Sequence, residues 1–161
     1  MAKEAASHID TLKACPLFKG FSESGMNLVA RVMRKRLIPA GSPIFVQSMV
    51  SDAAFILCKG KVSLSIKSAQ GNERIISEIN PIEAFGELSL IIGGTRMMTA
   101  TAGTDCEILE IPRRDFVKLQ KQKPQACLKL MLNIIRQFAS KTVACRDILT
   151  PLLLSQLPGD S

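Results

Sequence analysis

Residues 85–96 read Phe85-Gly86-Glu87-Leu88-Ser89-Leu90-Ile91-Ile92-Gly93-Gly94-Thr95-Arg96, and in this stretch the residue types could do chemistry on a phosphorylated sugar. Gly86 lacks a Cβ and lets a ligand come close to the backbone, while a short helix expected over Glu87–Ile92 aims unpaired N–H groups at an anion. Arg96 can give paired hydrogen bonds to phosphate oxygens, which a lysine matches poorly. Glu87, next to a helix start and an arginine, can stay ionised and accept from a ribose hydroxyl. Each feature also has an ordinary explanation. Gly93-Gly94 can be a plain turn, Gly-Glu-Leu is a common triplet, and Glu87 with Arg96 can be a surface ion pair of little value. On the residues alone, those ordinary explanations carry more weight than a binding site.

The elements around this stretch follow from hydrophobic periodicity. Leu12, Leu17, Phe18, Leu28, Val29, Val32 and Met33 fall at helical intervals broken by Pro16, Gly20 and Gly25, which predicts an entry region of short helices with a new start near Ser22. After Pro39-Ala40-Gly41 the pattern turns to short β-type runs, Ile44-Phe45-Val46 and Ala53–Cys58. Val62, Leu64 and Ile66 alternate with Ser63, Ser65 and Lys67, predicting a strand with one buried and one wet face. The loop Ala69–Asn72 returns it through Arg74–Ser77 as a hairpin, and further strands are expected at Thr99–Ala102 and Glu107–Ile111. Short strands at this spacing favour a sandwich or roll over a parallel sheet. Phe116, Val117 and Leu119 predict a short helix, and Pro124 opens a longer one. On it, Leu128, Met131, Leu132, Ile135, Phe138, Ala139 and Thr142 form one stripe, and Leu130 and Ile134 a second edge. One stripe covering the strands while the other meets a partner helix, and a single broad core-facing stripe, are equally open readings.

Composition excludes several function classes. With 161 residues, 47% of them hydrophobic, the chain can bury one core, and a wholly disordered chain is excluded. No run approaches the roughly 18 apolar residues that span a bilayer. Lys3, Glu4 and Asp10 stand where a signal peptide would be apolar, so a cytoplasmic location and no membrane partner are expected. Cys15, Cys58, Cys106, Cys127 and Cys145 are odd in number, far apart and without C-x-x-C spacing, which predicts reduced core thiols. The lone His8, expected near a frayed terminus, offers no base for a nucleophile and no metal cluster, so neither a metal nor an enzymatic activity is expected. The formal charge of +7 is spread over short groups such as Arg34-Lys35-Arg36 and Arg113-Arg114, read as a solvated basic surface. Without Trp or Tyr to stack on bases, it does not argue for nucleic acid.

The order of these features resembles the cyclic-nucleotide-binding domain of bacterial catabolite-activator-type regulators, protein kinase A regulatory subunits and nucleotide-gated channels. The likeness runs from about Leu12 to Thr142. Pro16-Leu17-Phe18-Lys19-Gly20-Phe21, the Ala40-Gly41 turn before Ile44-Phe45, Lys59-Gly60-Lys61-Val62, and above all Phe85–Leu90 with Arg96 and Thr99 carry it. It implies an α+β fold: an eight-stranded antiparallel β-roll (a double-stranded β-helix, or jelly-roll) flanked by N-terminal helices and a long C-terminal helix. The implied domain is 8–148, with the roll at about 38–111, C-terminal helices at 113–148 and a tail at 149–161. By the same likeness Glu87 accepts from the ribose 2′-hydroxyl, Arg96 holds the cyclic phosphate, and backbone N–H groups near Gly86, Leu88, Ser89 and Met97 complete the cradle. The family's base-contacting positions fall near Lys141 and Thr142. There Thr142 could meet a purine edge and Arg136 or Arg146 could stack on it, although core or solvent roles outweigh these.

Two loop glycines usual in the family are absent, at Ser48-Met49 and within Pro81-Ile82-Glu83-Ala84, which leaves the loop geometry there open. Small residues usual after the arginine are replaced by Met97-Met98. Loss of a Thr or Ser at Met97 points to cAMP rather than cGMP as ligand, with no other cofactor. The expected role is a regulatory sensor that moves its last helix for a signalling protein of unknown identity, with a homodimer through that helix open. The competing class is an interaction module that kept the roll and lost the ligand, supported by the missing glycines and Met97-Met98. A helix-turn-helix would not fit in the 13 residues from Leu149 to Ser161, so no direct DNA binding is expected.

Overall fold

The computed structural model describes the backbone of residues 2–155 and the side chains of residues 8–155. Two helices open the chain, α1 (Ala2–Ala14) and α2 (Glu23–Ala30), with a 3₁₀ turn at Pro16–Phe18 between them. The α2 start lies where the sequence places it, because the Ser22 hydroxyl accepts from the Gly25 N–H and caps the helix. His8 is buried inside α1, against the expectation of a frayed end.

Eight strands follow among the described residues: β1 (Arg34–Ile38), β2 (Pro43–Phe45), β3 (Ala53–Lys59), β4 (Val62–Lys67), β5 (Glu73–Ile79), β6 (Ala84–Phe85), β7 (Thr99–Ala102) and β8 (Cys106–Pro112). They pair antiparallel in two four-stranded sheets, ordered β1-β8-β3-β6 and β2-β7-β4-β5. The fold is α+β, a jelly-roll flanked by helices. Strand β3 is buried on both faces and so reads as a continuous apolar run rather than an alternation. Its Ala53, Phe55 and Leu57 face the core between the sheets, whereas Ala54 and Ile56 face the helices.

Three sequence expectations need correction here. The roll starts at Arg34, not near 38: Arg34-Lys35-Arg36 is strand β1, and each of its cations meets a carboxylate, Asp115 at 2.8 Å, Glu107 at 2.8 Å and Glu110 at 2.9 Å. The Lys35 ammonium holds the Glu107 carboxyl below its ordinary range. The β4 alternation fails at its far end. Ile66 lies at the open rim, while Ser65 is covered and donates to the Glu73 carboxylate, beside a one-residue shift in the β4–β5 register. The cysteines are all free, but Cys145 is exposed rather than in the core. Burial pushes the Cys15 thiol up to about 11, and those of Cys58 and Cys127 upward too, which keeps them protonated.

After β8 come α3 (Arg113–Gln122), α4 (Pro124–Ala144) and α5 (Arg146–Leu154). The α5 helix runs through residue 148, so the expected domain limit falls inside a helix, and Pro158–Ser161 lie outside the described residues. On α4 the core takes the edge of Leu130 and Ile134. Cys127, Leu130, Asn133 and Ile134 are buried, whereas Leu128, Leu132, Ile135 and Phe138 are exposed. The polar member of the buried face locks the helix in place: Asn133 Nδ2 donates to the carbonyls of Leu17 at 2.9 Å and Lys19 at 3.1 Å. No helix among the described residues is long and apolar enough to cross a membrane.

Replacing Asn133 by Leu keeps the branched shape but leaves two carbonyls unpaired. Urea unfolding should show a loss of about 2 kcal/mol. An unchanged midpoint would mean that Asn133 does not seat α4.

Candidate functional site

A cavity of about 320 Å³ opens between the second sheet, the segment from Ala84 to Met98 and α4. This is within the roughly 300–1,000 Å³ of small-ligand clefts. Its walls bring together Gly86, Glu87, Leu88, Ser89, Arg96, Met97 and Met98, with Phe45, Leu64 and Ile79 from the roll and Phe138 and Lys141 from α4. A larger, open groove of about 490 Å³ lies between the start of α2 and the α3–α4 elbow, but its cations Lys123 and Lys129 are exposed.

Arg96 defines the cavity floor. The residue is 5% exposed, yet its nearest carboxylate, Asp52, is 3.7 Å away and largely in water. The guanidinium donates from Nη2 to the Ala53 carbonyl at 2.7 Å and from Nη1 to the Gly86 carbonyl at 3.4 Å. It also lies 4.1 Å above the centre of the Phe45 ring. Phe45, Phe55 and Phe85 pack in a mutual cluster with centroids 5.4–6.1 Å apart, a platform assembled from both sheets. Burial pushes the guanidinium below its usual basicity, which Asp52 partly offsets. Arg96 Nε is buried with no hydrogen-bond partner.

Glu87 is also buried and opens a 3₁₀ turn, Glu87–Leu90, shorter than the helix the sequence predicts. It does not pair with Arg96. Its carboxylate lies 3.9 Å from the Lys141 ammonium instead, so neither residue belongs to the surface ion pair that the sequence left open. The turn is possible because Gly86 adopts φ 64°, and a Cβ there would stand 2.7 Å from Arg96 Nη1. Ser89 turns inward: both its hydroxyl and its N–H reach the Gly86 carbonyl, at 2.8 and 3.2 Å. Met97 is mostly exposed on the cavity rim.

Thr142 does not line the cavity. Its hydroxyl donates to the Phe138 carbonyl one turn back, while Phe138 and Lys141 face the space. Arg136 donates to Asn133 and Arg146 lies beside Asp147, both away from the cavity walls. Phe138 reads in the sequence only as part of an apolar stripe of α4, and its i, i+3 spacing from Lys141 is the signal that could have placed it. Asp52 carries no local pattern at all.

The two missing glycines prove informative. Ser48 and Ile82 are the only non-glycine residues with positive φ among those described, at 68° and 73°. Each keeps the glycine conformation at about 1–2 kcal/mol of strain. Neighbouring hydrogen bonds hold them there: Ser48 N–H donates to the Arg96 carbonyl, Arg96 N–H returns to Met49, and Ile82 N–H donates to Leu57. The loop after β2 is thereby fastened to the backbone of Arg96.

Gly86→Ala should destabilise the protein by about 1–2 kcal/mol from backbone strain alone, with a further loss from contact with Arg96. Gly41→Ala is the control, since Gly41 has φ 80° and nothing within 4 Å of a Cβ. Equal melting temperatures for the two variants would contradict this packing.

Residues 35–123 match the family described as the cyclic nucleotide-binding domain. The chain is 33% identical over 126 residues to the cyclic AMP receptor protein of Thermus thermophilus, covering 78% of this chain and 58% of that protein. It therefore spans about three fifths of that relative's length. The crystal structure of the Thermus thermophilus catabolite activator protein superposes with a TM-score of 0.70 at 32% identity, over 84% of this chain and 63% of that one. The N-terminal domain of a transcriptional regulator from Streptomyces coelicolor gives 0.73 at 26% identity, over 84% and 94%. With the family matched across more than half of this chain's residues, and with a jelly-roll fold, this chain belongs to the cyclic nucleotide-binding domain family.

Proposed function

We propose that the chain is a regulatory sensor that binds cAMP in the cavity over Arg96 and answers by repositioning α4. The observation that carries the reading is the buried Arg96 guanidinium in the cavity wall, whose nearest carboxylate is largely in water. A cyclic phosphate accepts from the guanidinium, and its single negative charge matches a single buried cation. Glu87 takes the ribose 2′-hydroxyl as an ionised acceptor. Leu64, Ile79, Met98 and Phe138 give the base an apolar berth, and Lys141 stands at its mouth. Such a berth carries little information on adenine against guanine. The proposal of cAMP rests on Met97 in place of a hydroxyl residue.

Because Phe138 and Lys141 belong to α4 while Glu87 and Arg96 belong to the roll, a ligand touching both sets binds one arrangement of α4 better than another. That differential affinity is what a switch requires. A roll kept only for protein contact would not need a cation buried beside an open cavity, and the positive φ of Ser48 and Ile82 preserves the loop shape that the missing glycines put in question. The exposed apolar edge of α4, Leu128, Leu132 and Ile135, supports a helix of a second copy or of a signalling protein as its neighbour.

Arg96→Lys keeps the charge and removes the planar fork. Calorimetry should show cAMP affinity about 100-fold or more weaker, with the urea midpoint changed far less. Equal affinity in the two proteins would remove Arg96 from the site.

A further inference from the structure

Three ionisable groups line the cavity: Glu87, Arg96 and Lys141. Two come from the roll, 45 or more residues before the third, and Lys141 is the one charge that α4 brings. Its Nζ approaches Glu87 Oε1 at 3.9 Å from the solvent side, with the lysine side chain 64% exposed and that of Glu87 11%.

The burial along α4 gives this contact its weight. The helix is seated by Cys127, Leu130, Asn133 and Ile134, all in its first half. From Ile135 to Ala144 no residue is buried, so the distal half has no core anchor. What meets the roll there is Phe138 and Lys141 at the cavity wall. A segment with so few buried contacts opens at a small fraction of the global free energy, and one polar contact shifts that local equilibrium measurably.

We propose that Lys141 is a positioning residue that fastens the distal half of α4 to the Glu87 turn, and that an anionic ligand strengthens the fastening. The first part needs no ligand. The second rests on the nucleotide-binding reading: with Glu87 negative and Arg96 and Lys141 positive, the cavity faces a ligand with one net positive charge, and a monoanion neutralises it. Lys141 then lies between the Glu87 carboxylate and the ligand's phosphate-ribose, and α4 is drawn down with it. Without Lys141 the cavity's charge is zero and the ligand has no ionic hold on the helix.

Amide hydrogen exchange across residues 135–144 tests both parts. In the unliganded protein Lys141→Met and Glu87→Gln should each speed exchange there by about twofold to fivefold. The double variant should be no faster than either single one, and Lys141→Arg should restore the wild-type rate. Exchange in β3 and in residues 127–134 should stay unchanged, which shows that the fold is intact. Wild-type exchange in Lys141→Met, or additive effects in the double variant, overturns the fastener. In the second arm, saturating cAMP should slow exchange of residues 135–144 in the wild type and clearly less in Lys141→Met, which keeps only the Phe138 contact. Equal slowing in both overturns the ligand's action through Lys141. Failure of cAMP to protect any segment of the wild type overturns the nucleotide reading, and with it the second part, while the unliganded arm still decides the first.

Discussion

A guanidinium withdrawn from water is the constraint around which the middle of this molecule is arranged. Arg96 keeps its charge at 5% exposure, and charges so placed must be compensated or the fold loses stability. The compensation comes from distant parts of the chain: the Ala53 carbonyl at the start of β3, the Gly86 carbonyl after β6, and the face of Phe45 from the other sheet. Each sets a demand of its own. The Phe45 face is presented because Phe55 and Phe85 pack beside it, and Gly86 must be glycine because a Cβ would enter the guanidinium. The nearest carboxylate, Asp52, is largely in water. The arrangement is complete as a scaffold and incomplete as an electrostatic site, which is the condition for binding an anion without rebuilding the roll.

Much of this was legible in the sequence, for local reasons. Ser22, Pro124 and the Ala69–Asn72 loop are signals whose chemistry acts within a few residues, and the elements they mark lie where expected. The residue types and spacing from Gly86 to Arg96 singled out Glu87 and Arg96, and the fold brings both to one cavity. What stayed hidden depends on partners far along the chain. Arg34-Lys35-Arg36 looks like a solvated cluster until β8 and α3 supply Glu107, Glu110 and Asp115. The helical period of α4 identifies two apolar edges but does not say which one the core takes. Asn133 decided it, because its amide finds the carbonyls of the Pro16–Phe18 region more than a hundred residues away. Lys141 and Thr142 both fell on favoured positions by alignment, yet the rotation of the helix turns Lys141 toward the cavity together with Phe138 and leaves Thr142 off its wall.

Ser48 and Ile82 show how a departure in sequence can leave geometry intact. Both stand where a glycine would be relaxed, and both keep the glycine conformation. Backbone hydrogen bonds to Arg96 and Leu57 determine the local path, and the side chains accept the strain. Reading the lost glycines as a lost site would have overestimated local preference against the tertiary framework.

Helix α4 has a seated half and a half held at the cavity wall, so roll and helix meet at one place. The proposed function requires that the buried Arg96 guanidinium hold a cyclic phosphate there. Thermal unfolding of the unaltered protein with cAMP, cGMP and 5′-AMP tests this most directly. A ligand at about 100 times its dissociation constant should raise the midpoint by about 5 °C or more. Such a shift is expected with cAMP, a smaller one with cGMP and none with the open 5′-monophosphate. An unchanged midpoint with both cyclic nucleotides would contradict it.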